Sequence, residues 1–586
     1  MSYMQPGDSN KRLRLFVMFL VVVCVAFCWK LVEFQVVRAD EINKVSKEKR
    51  SVTRTLPAVR GSIVDTNGHE LAKTVYRYDI NAAPINVAPI TRTTNGVAAQ
   101  ISVEQQIAEI ASVLGMTPED VKAKVAGTSN YASIKKNVDS DGYRQLQKLD
   151  IPWLYFDQKL ARIYPDGAVA GNLLGFVGVD GTPLAGIERQ YNSCLAGIDG
   201  QETFERGATD GIRIPNSAQV SQKAKNGSDV VLTINSDLQY YTQQVLVNTV
   251  SNLRADWASA VVVEVATGNI LAAAEAPTVD PNDPGASAEA DRRSRIFQAT
   301  FEPGSTMKTV TAATVIDQGK ATPESKIKAP YRIRLPWGEY IQDSHMHGLD
   351  KLTLTGVLRD SSNTGIIQFG ARVDTETRYN YFKKFGVGEK TDVRFEGESA
   401  GILNNWQDWD KMTDKTSMFG QGVAVTPIQT AFFYQTIANG GVRLQPRLVA
   451  GCKDASGNLV ATPVKPGVRV VSADTARSTI DMLEKVVEQG GIGRTAAIAG
   501  YRIAGKSGTA QIKDGKGYGY RYAISFIGMA PAENPKYVVA VTVYKPRTVS
   551  NSIGATPPFK RIFEQVLRLY RVPPSTTKSA KIATEW

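Results

Sequence analysis

Residues 301–308 read FEPGSTMK and are followed by TVTAATVI, a run that is compatible with a helix. Pro303 and Gly304 mark a turn, so Ser305 is predicted in the first turn of that helix, with Lys308 three residues further on. Positions i and i+3 share a helix face, which lets the serine hydroxyl meet the lysine amine. A lysine whose pKa is lowered by burial can take the proton of a serine and make it a nucleophile. Ordinary helix starts show the same spacing, so this motif needs further support.

Two further motifs supply that support. Residues 361–363 read SSN after a helix-like segment at 354–360, and residues 506–509 read KSGT. The alternation around KSGT predicts an edge strand, with residues 522–527 as its neighbour. The order S-x-x-K, S-x-N and K-[ST]-G is the signature of serine acyltransferases that act on penicillin-like substrates. Ser305 is therefore predicted to be the nucleophile of an acyl transfer.

The composition, with 42% hydrophobic and 22% charged residues, is that of a folded protein. The net charge of +12 comes from scattered basic residues. Because no zinc-finger, helix-turn-helix or RNA-binding motif accompanies them, we expect no nucleic-acid partner. The four cysteines form no C-x-x-C pair. Cys194 and Cys452 could form a disulfide, but nothing in the sequence supports it, and we expect unpaired thiols.

The N-terminal segment predicts a membrane anchor. Lys11, Arg12 and Arg14 introduce an apolar run, and residues 13–34 are long enough to cross a bilayer. Basic residues favour the cytoplasmic side, so we predict a cytoplasmic tail at 1–12, a transmembrane helix at 13–34 and an extracytoplasmic catalytic domain. No signal-peptidase site follows the run, and no later stretch is apolar enough to span again.

The rest of the chain shows a boundary near residue 250. Asn67-Gly68 favours an early hairpin. A helix from about Ser236 to Val250, capped by that serine, precedes a second predicted hairpin at 260–274 that opens a new unit. We therefore expect one domain at 40–250, a second at 251–572 and a flexible tail at 573–586.

The whole sequence resembles a known family. RGSIVDTNG at 60–68, GIE at 186–188, GQGVAVTP at 420–427 and ANGG at 438–441 accompany the three motifs. With these stretches the chain resembles the class B penicillin-binding proteins, which are peptidoglycan D,D-transpeptidases, and FEPGS resembles their cell-division, FtsI-type branch. Thr66 stands where many members carry arginine.

That resemblance implies an α+β multidomain fold. A single transmembrane helix would precede an elongated α+β pedestal of the dimerisation type at 40–250. A penicillin-binding, transpeptidase (β-lactamase-like) domain at 251–572 would have a central antiparallel sheet flanked by helices.

Catalytic roles follow from the chemistry together with the resemblance. Ser305 attacks the carbonyl of a stem peptide or of a β-lactam and becomes the ester. Lys308 takes its proton, kept neutral by burial and by the charge of Lys506. Ser361 relays a proton to the leaving amine, and Asn363 orients Lys308 and holds the substrate amide.

The third motif is expected to bind the substrate. Lys506, with the hydroxyls of Ser507 and Thr509, would hold the terminal carboxylate of the substrate. Gly508 would allow the substrate to approach the strand closely. The backbone N–H groups of Ser305 and Thr509 would form the oxyanion hole.

The resemblance also implies partners and location. The substrates would be stem peptides that end in D-Ala–D-Ala, and β-lactam antibiotics would bind covalently. An FtsW-type lipid-linked glycan polymerase and other division proteins would be partners in the membrane. We expect the protein in the inner or plasma membrane, at the division septum, and we expect neither a cofactor nor a metal.

A competing nucleophile motif occurs at residues 397–401, which read GESAG. This is the nucleophile-elbow pattern of α/β-hydrolases, a fold that needs its histidine after the serine. The histidines of this chain, His69, His345 and His347, all precede Ser399. The pattern is therefore interpreted as coincidental.

A short polar stretch contains residue types that bind metals. Asp343, His345, His347 and Asp350 could ligate a metal ion, because two histidines and two carboxylates lie within eight positions. An exposed polar loop is the simpler interpretation, since the sequence shows no further cluster of ligands near it.

Four competing functions share some of these motifs. They are an elongation-type transpeptidase, a membrane-anchored β-lactamase, a β-lactam sensor and a catalytically silent wall-binding scaffold. The pedestal and the anchor favour synthesis over drug hydrolysis, and three intact motifs argue against a silent scaffold.

Overall fold

The computed structural model describes residues 9–94, 97–207, 214–514 and 517–586, so residues 1–8 of the predicted cytoplasmic tail lie outside it. Chain contacts divide the protein into two compact units. The first unit comprises Met1–Val59 and Gly197–Gly227, and the second comprises Arg60–Ala196 and Ser228–Trp586.

The α-helices of the described residues, in chain order, are α1 (Ser9–Val32), α2 (Ala39–Arg50), α3 (Val103–Leu114), α4 (Pro118–Lys124), α5 (Ser140–Lys148), α6 (Gly171–Leu174), α7 (Gly186–Gln190), α8 (Asn192–Leu195), α9 (Ser236–Leu253), α10 (Arg295–Gln298), α11 (Lys308–Asp317), α12 (Leu354–Asp360), α13 (Asn363–Gly370), α14 (Thr375–Phe385), α15 (Lys411–Thr416), α16 (Pro427–Ala438), α17 (Ala473–Val487) and α18 (Thr556–Leu569).

The strands are β1 (Ser51–Leu56), β2 (Ile63–Val64), β3 (Glu70–Ala82), β4 (Ile90–Thr94), β5 (Val97–Ile101), β6 (Ala132–Val138), β7 (Leu154–Ile163), β8 (Gly200–Glu205), β9 (Gln219–Gln222), β10 (Val230–Leu232), β11 (Trp257–Glu264), β12 (Ile270–Ala276), β13 (Lys326–Pro330), β14 (Arg332–Arg334), β15 (Tyr340–Gln342), β16 (Leu349–Thr353), β17 (Val442–Arg443), β18 (Val449–Lys453), β19 (Leu459–Ala461), β20 (Val468–Arg469), β21 (Ala504–Asp514), β22 (Gly517–Ala530) and β23 (Tyr537–Tyr544).

The first unit combines an apolar helix with a small sheet. Helix α1 continues through a π-helical turn, and Ser9–Val37 is the one helix among the described residues that is long and apolar enough to cross a membrane. Its apolar side chains are exposed, which suits a helix surrounded by lipid. Strand β8 pairs antiparallel with β1 on one side and with β9 on the other.

A seven-stranded sheet in the second unit joins early and late parts of the chain. Its order is β19-β18-β10-β2-β3-β6, and β7 also pairs with β3. The hairpin predicted around Asn67-Gly68 is confirmed, with Ile63 opposite Ala72. Strand β10 pairs parallel with β2 and antiparallel with β18. Because β18 comes from beyond residue 440, this sheet crosses the boundary predicted near residue 250.

A five-stranded antiparallel sheet of order β12-β11-β23-β22-β21 carries the third motif on its edge strand β21, beside the turn with Ser305. Its valine-rich strands β11 and β23 are almost entirely buried, because helices cover both faces of the sheet. The predicted hairpin at 260–274 is confirmed, with Ala260 opposite Ala274. Strand β21 is an edge strand paired with β22, as predicted. The expected α+β architecture with a central antiparallel sheet is confirmed.

Helix α9 begins where predicted but with a different cap. The Asn235 side chain accepts the N–H of Leu238 at 2.9 Å, which is the capping contact. The neighbouring Ser236 hydroxyl donates instead to Asp65 at 2.9 Å. The prediction of a Ser236 cap is wrong because a buried carboxylate from a distant turn takes that hydroxyl.

The expectation of unpaired thiols is also wrong, because Cys194 and Cys452 form a disulfide. Cys452 lies opposite Val230 in the β18–β10 pair, and the carbonyl of Cys194 accepts the N–H of Ser228 at 2.9 Å. These backbone contacts bring together two residues that are 258 positions apart. Pairing between strands that lie so far apart in the sequence cannot be inferred from the spacing of the cysteines.

The segment 573–586, predicted as a flexible tail, is docked instead. The carbonyl of Thr584 accepts the backbone N–H of the residue before α12 at 3.0 Å. The Trp586 ring receives the ammonium groups of Lys326 and Lys351 at 5.3 and 5.5 Å from its centroid. Backbone pairing and cation–π contacts hold this polar segment, and composition alone does not reveal them.

Candidate active site

Ser305 lies in a single 3₁₀ turn, Gly304–Met307, that leads directly into α11. The predicted helix therefore starts three residues after Ser305. Gly304 has a φ of +56°, and a Cβ there would stand 3.0 Å from the carbonyl oxygen of Thr509. Glycine is needed because the turn adopts a left-handed conformation and presses against β21. The nucleophile candidate is thereby fixed beside the edge strand.

Lys308 is fully buried at the start of α11. Its Nζ donates to the carbonyl oxygen of Ser361, and to the Ser361 Oγ at 3.2 Å. Burial lowers the pKa of Lys308 from 10.5 to about 7, and the carboxylate of Asp343 offsets part of that shift. A substantial fraction of this amine is therefore neutral near neutral pH and can accept a proton.

Lys506 approaches the same hydroxyl from β21. It is also fully buried, and its Nζ donates to Ser361 Oγ at 2.9 Å. Burial, and secondly the charge of Lys308, lower the pKa of Lys506 well below its usual value. Two buried amines that share one hydroxyl disfavour a double positive charge. The pair can therefore accept or release a proton readily.

The turn that carries Ser361 is itself unusual. Ser361 ends α12 with a φ of +59°, a left-handed conformation that a serine adopts only when its surroundings enforce it. Ser362 caps α13 through its Oγ, which accepts the N–H of Gly365 at 2.9 Å. The Asn363 side chain donates to the carbonyl of Gln342 at 2.9 Å. Its described hydrogen bonds therefore do not reach Lys308.

Close contacts explain the glycine of the third motif. A Cβ on Gly508 would stand 2.3 Å from Ser525 Oγ and 2.9 Å from the Thr306 side chain. Any larger residue would push β21 away from the neighbouring strand and from the Ser305 turn. Ser507 lies beside Lys506 and is buried, and Thr509 lies opposite Ile524 in the sheet.

A cavity of about 330 Å³ is lined by residues 300–302, which precede the nucleophile turn, and by residues 510–513 of β21. Phe301, Ile402 and Ile512 contribute apolar walls, and Glu302 contributes a carboxylate. Glu302 accepts the N–H of Gly422 at 3.0 Å, and burial raises the pKa of its carboxyl. The cavity is lined by the residues just before the nucleophile turn and by the part of β21 that follows the third motif, and its partly apolar walls can receive part of a peptide.

Asp343, which the sequence offered only as a possible metal ligand, contacts the second motif. It is 5% exposed and accepts hydrogen bonds from the Ser362 hydroxyl at 2.7 Å and from the N–H of Thr364 at 3.0 Å. His347 Nε2 lies 3.0 Å from Asp343 Oδ2, the same oxygen that accepts the Ser362 hydroxyl. The interpretation of this stretch as an exposed loop holds for His345 but is wrong for Asp343 and His347. No spacing relative to the motifs indicates the contact, which depends on how β15 packs against α13.

No group of three or more His, Cys, Asp or Glu side chains within the described ranges is placed to hold a metal ion.

Family comparisons agree with this geometry. Residues 258–565 match the family model "Penicillin binding protein transpeptidase domain", and residues 55–232 match "Penicillin-binding Protein dimerisation domain". The chain belongs to the class B penicillin-binding proteins, FtsI type. In this penicillin-binding protein the first of these matches contains all three motifs.

Relatives match the penicillin-binding protein along most of its length. "Penicillin-binding protein PbpB" of Mycolicibacterium smegmatis is 34% identical over 94% of this chain and 89% of its own. "Peptidoglycan D,D-transpeptidase FtsI" of Escherichia coli K12 is 31% identical over 92% and 88%. The crystal structure of penicillin binding protein 3 from Mycobacterium tuberculosis complexed with aztreonam superposes with a TM-score of 0.70 at 30% identity, covering 91% of this chain and 100% of the other.

Proposed function

We propose that the protein is a serine D,D-transpeptidase that cross-links peptidoglycan stem peptides during septal cell-wall synthesis. The observation that carries the proposal is the pair of buried lysine amines on the Ser361 hydroxyl, beside the turn that presents Ser305. A pair of amines with lowered pKa values can accept and return protons at neutral pH, which acyl transfer requires.

In the acylation step, Ser305 Oγ attacks the carbonyl carbon of the penultimate D-Ala and its proton passes to Lys308. An O–C bond forms and the carbonyl oxygen takes the negative charge. The backbone N–H groups of Ser305 and Thr509 stabilise that oxyanion. The turn before α11 supports this assignment, because it holds Ser305 against β21.

The leaving group then needs a proton. Ser361 Oγ contacts both lysines, so it relays a proton to the amine nitrogen of the terminal D-Ala as the C–N bond breaks. The amine of a neighbouring stem peptide next attacks the ester. A new amide forms, the Oγ–C bond breaks and Ser305 regains its proton. In a β-lactam the leaving nitrogen stays tethered through the opened ring, so the ester persists.

Substrate recognition is assigned to β21 and to the amide of Asn363. A charged Lys506 with the hydroxyls of Ser507 and Thr509 binds the terminal carboxylate, a charge-assisted contact. Gly508 keeps the strand close to Ser305. Asn363 lies at the start of α13 and holds the substrate amide.

The covalent intermediate provides the direct test. The full chain in detergent is incubated with a fluorescent penicillin and examined for a stable labelled band. We expect a band on the wild-type protein and none on Ser305→Ala, with Ser399→Ala, in the GESAG stretch, as the matched control that labels normally. Labelling of Ser305→Ala would refute the assignment. Rapid loss of label from the wild type would instead favour a β-lactamase.

The anchor and the relatives support a membrane role in division. Ser9–Val37 forms a single-pass anchor, and Lys11, Arg12 and Arg14 at its start favour a cytoplasmic N-terminus with the catalytic domain outside. An FtsW-type glycan polymerase and other division proteins are the proposed lateral partners. A fluorescent fusion should concentrate at midcell in dividing cells. Uniform labelling of the side wall would favour an elongation-type transpeptidase.

A further inference from the structure

One segment of the chain lies along the helix that leads to the second motif. The segment is residues 575–586, which we call the strap, and the helix is α12, which ends just before Ser361. The Thr584 carbonyl accepts the N–H of Thr353, the N-cap residue of α12, at 3.0 Å. The Thr353 hydroxyl also donates to the carbonyl of Ala583 at 2.7 Å. The strap therefore holds the start of α12.

The middle of α12 is shaped to receive the strap. A Cβ on Gly356 would stand 2.0 Å from the carbonyl oxygen of Thr584. The two backbones approach so closely that only glycine fits between them, although alanine forms helices better. Gly356 therefore makes room for the strap, at a cost in the intrinsic stability of the helix.

The end of α12 is held through one side chain. Arg359 donates to the Thr584 hydroxyl at 2.6 Å and to the carboxylate of Glu585. The same guanidinium group forms two hydrogen bonds with the carboxylate of Asp360, each at 2.7 Å. A planar guanidinium that meets three partners has a fixed orientation. Because Asp360 directly precedes Ser361, Arg359 connects the strap to the left-handed turn of the second motif.

The other end of the strap contacts the chain just before β21. The N–H of Ser575 donates to the carbonyl of Gly500 at 2.9 Å, and the Ser575 hydroxyl accepts the N–H of Arg502 at 2.9 Å. The Arg502 side chain donates to the Thr577 hydroxyl at 2.7 Å. Strand β21 begins two residues after Arg502 and carries Lys506. One segment therefore contacts both α12 and the approach to β21.

We propose that Arg359, held by the strap, is a positioning residue that sets where the Ser361 hydroxyl stands between the two buried amines. This inference rests on the function proposed above. Arg359 acts through Asp360 and the end of α12, and the reacting atoms lie on other residues.

The conformation of Ser361 argues for this role. Its φ of +59° accompanies a hydroxyl that lies 3.2 Å from the Lys308 amine and 2.9 Å from the Lys506 amine. Such a backbone conformation persists only where the neighbouring residues are fixed, and Arg359 fixes the residue before it. Without that contact the end of α12 can unwind and carry the hydroxyl away from the amines. A displacement of about 1 Å in such a site can cost on the order of 100-fold in rate.

Arg359 also fixes a carboxylate whose charge acts on the site. Burial and the charge of Lys308 lower the pKa of Lys506, and the carboxylate of Asp360 opposes them. Arg359 binds both oxygens of that carboxylate, so it determines the position from which this charge acts. The same guanidinium group therefore supports both the hydroxyl and an amine that the hydroxyl contacts.

The test measures acylation of full-length variants in detergent by a fluorescent penicillin at increasing concentrations, which separates the limiting rate from the non-covalent affinity. We expect Arg359→Gln to lower the limiting rate about 10- to 100-fold with an unchanged affinity. Gly356→Ala should also lower the rate, because the added Cβ displaces the strap although alanine favours the helix. Thr584→Ala should lower it by less, since it removes one contact of Arg359. Thr576→Ala, an exposed threonine of the strap, is the matched control and should acylate normally.

Three results would overturn the proposal: a wild-type limiting rate in Arg359→Gln or Gly356→Ala, a smaller labelled fraction that reacts at the wild-type rate, or equal losses in Thr576→Ala and Thr584→Ala. The second result is the one that a purely structural role would give. If thermal melting shows that Arg359→Gln and Gly356→Ala do not fold, Thr584→Ala decides alone, and a wild-type rate in it refutes the proposal. Failure of the proposed function looks different, because the wild-type protein itself would then take no label.

Discussion

Two sites in the second unit bury ionisable side chains, and they offset the free-energy cost of burying a charge in different ways. Glu188 is fully buried between two guanidinium groups, with Arg60 Nε at 2.7 Å and Arg162 Nε at 2.6 Å. Arginine stays charged at any pH relevant to a protein, so the guanidinium charges of this cluster do not change. Lys308 and Lys506 are equally buried, but they share a serine hydroxyl rather than a carboxylate.

The comparison distinguishes a buried charge that stabilises the fold from buried amines that take part in catalysis. A buried charge that is matched by opposite charge keeps its protonation state, and removing one partner is strongly destabilising. Two buried amines without such a match can release a proton near neutral pH, and that release is what a nucleophilic serine needs. Substitutions in the Glu188 cluster should therefore change the free energy of unfolding, whereas substitutions of the two lysines should change the acylation rate.

The largest effect is expected from Lys308→Arg. Arginine keeps the positive charge but cannot give up its proton, so acylation should fall about 1,000-fold or more while the protein still folds. The rate of labelling by a fluorescent penicillin measures the loss, and circular dichroism monitors folding. Lys320→Arg, exposed just beyond α11, is the control. Near-normal labelling of Lys308→Arg would show that acylation does not need a neutral Lys308. The contrast between the Lys308–Lys506 pair and the Glu188 cluster would then fail.

The next effect concerns stability. Glu188→Gln keeps the side-chain shape but leaves two buried guanidinium groups without a counter-charge, which should lower the free energy of unfolding by about 3–5 kcal/mol. Urea denaturation measures the change. The folded fraction should still acylate at the wild-type rate. Asp141→Asn, in the exposed pair with Arg144, should cost under about 1 kcal/mol. A similar cost in both variants would show that burial of Glu188 does not matter.

The smallest effect is a graded one, seen on changing pH. Lys308 must be neutral to act as a base, so acylation should fall about tenfold per pH unit below its pKa of about 7. The same lowered pKa means that the unfolded chain binds more protons than the folded protein between about 7 and 10.5. Stability should therefore rise with pH across that window from this group. A flat acylation profile down to pH 5 would mean that Lys308 is not the base.

The sequence predicted the elements that local patterns encode. Alternation around Lys506 predicted an edge strand, and the patterns around Gly68 and at 260–274 predicted two hairpins, all of which the structure contains. The order of the three motifs predicted which side chains meet, and Lys308, Ser361 and Lys506 do lie within hydrogen-bonding distance.

The features that were missed depend on contacts between distant segments. The disulfide needs β10 to pair with β18, and the contact of Asp343 with Ser362 needs β15 to pack against α13. The docked segment at Trp586 needs lysines from β13 and β16. None of these contacts has a period or a spacing in one sequence, because each is decided by tertiary packing.

The order of the five-stranded sheet has a consequence for the synthesis of the protein. Strand β11 meets β12 directly after it in the chain, but its other neighbour, β23, lies close to the C-terminal helix α18. Until β23 has been made, β11 keeps an open apolar edge, and β21, although it is made earlier, is not yet joined to β11 through paired strands. The sheet of the nascent domain therefore stays incomplete until nearly the whole domain has been synthesised. During that time its open strand edge can pair with other chains. Sheets closed by such distant strands fold slowly, and we expect this domain to depend on protection from chaperones until its last strands arrive.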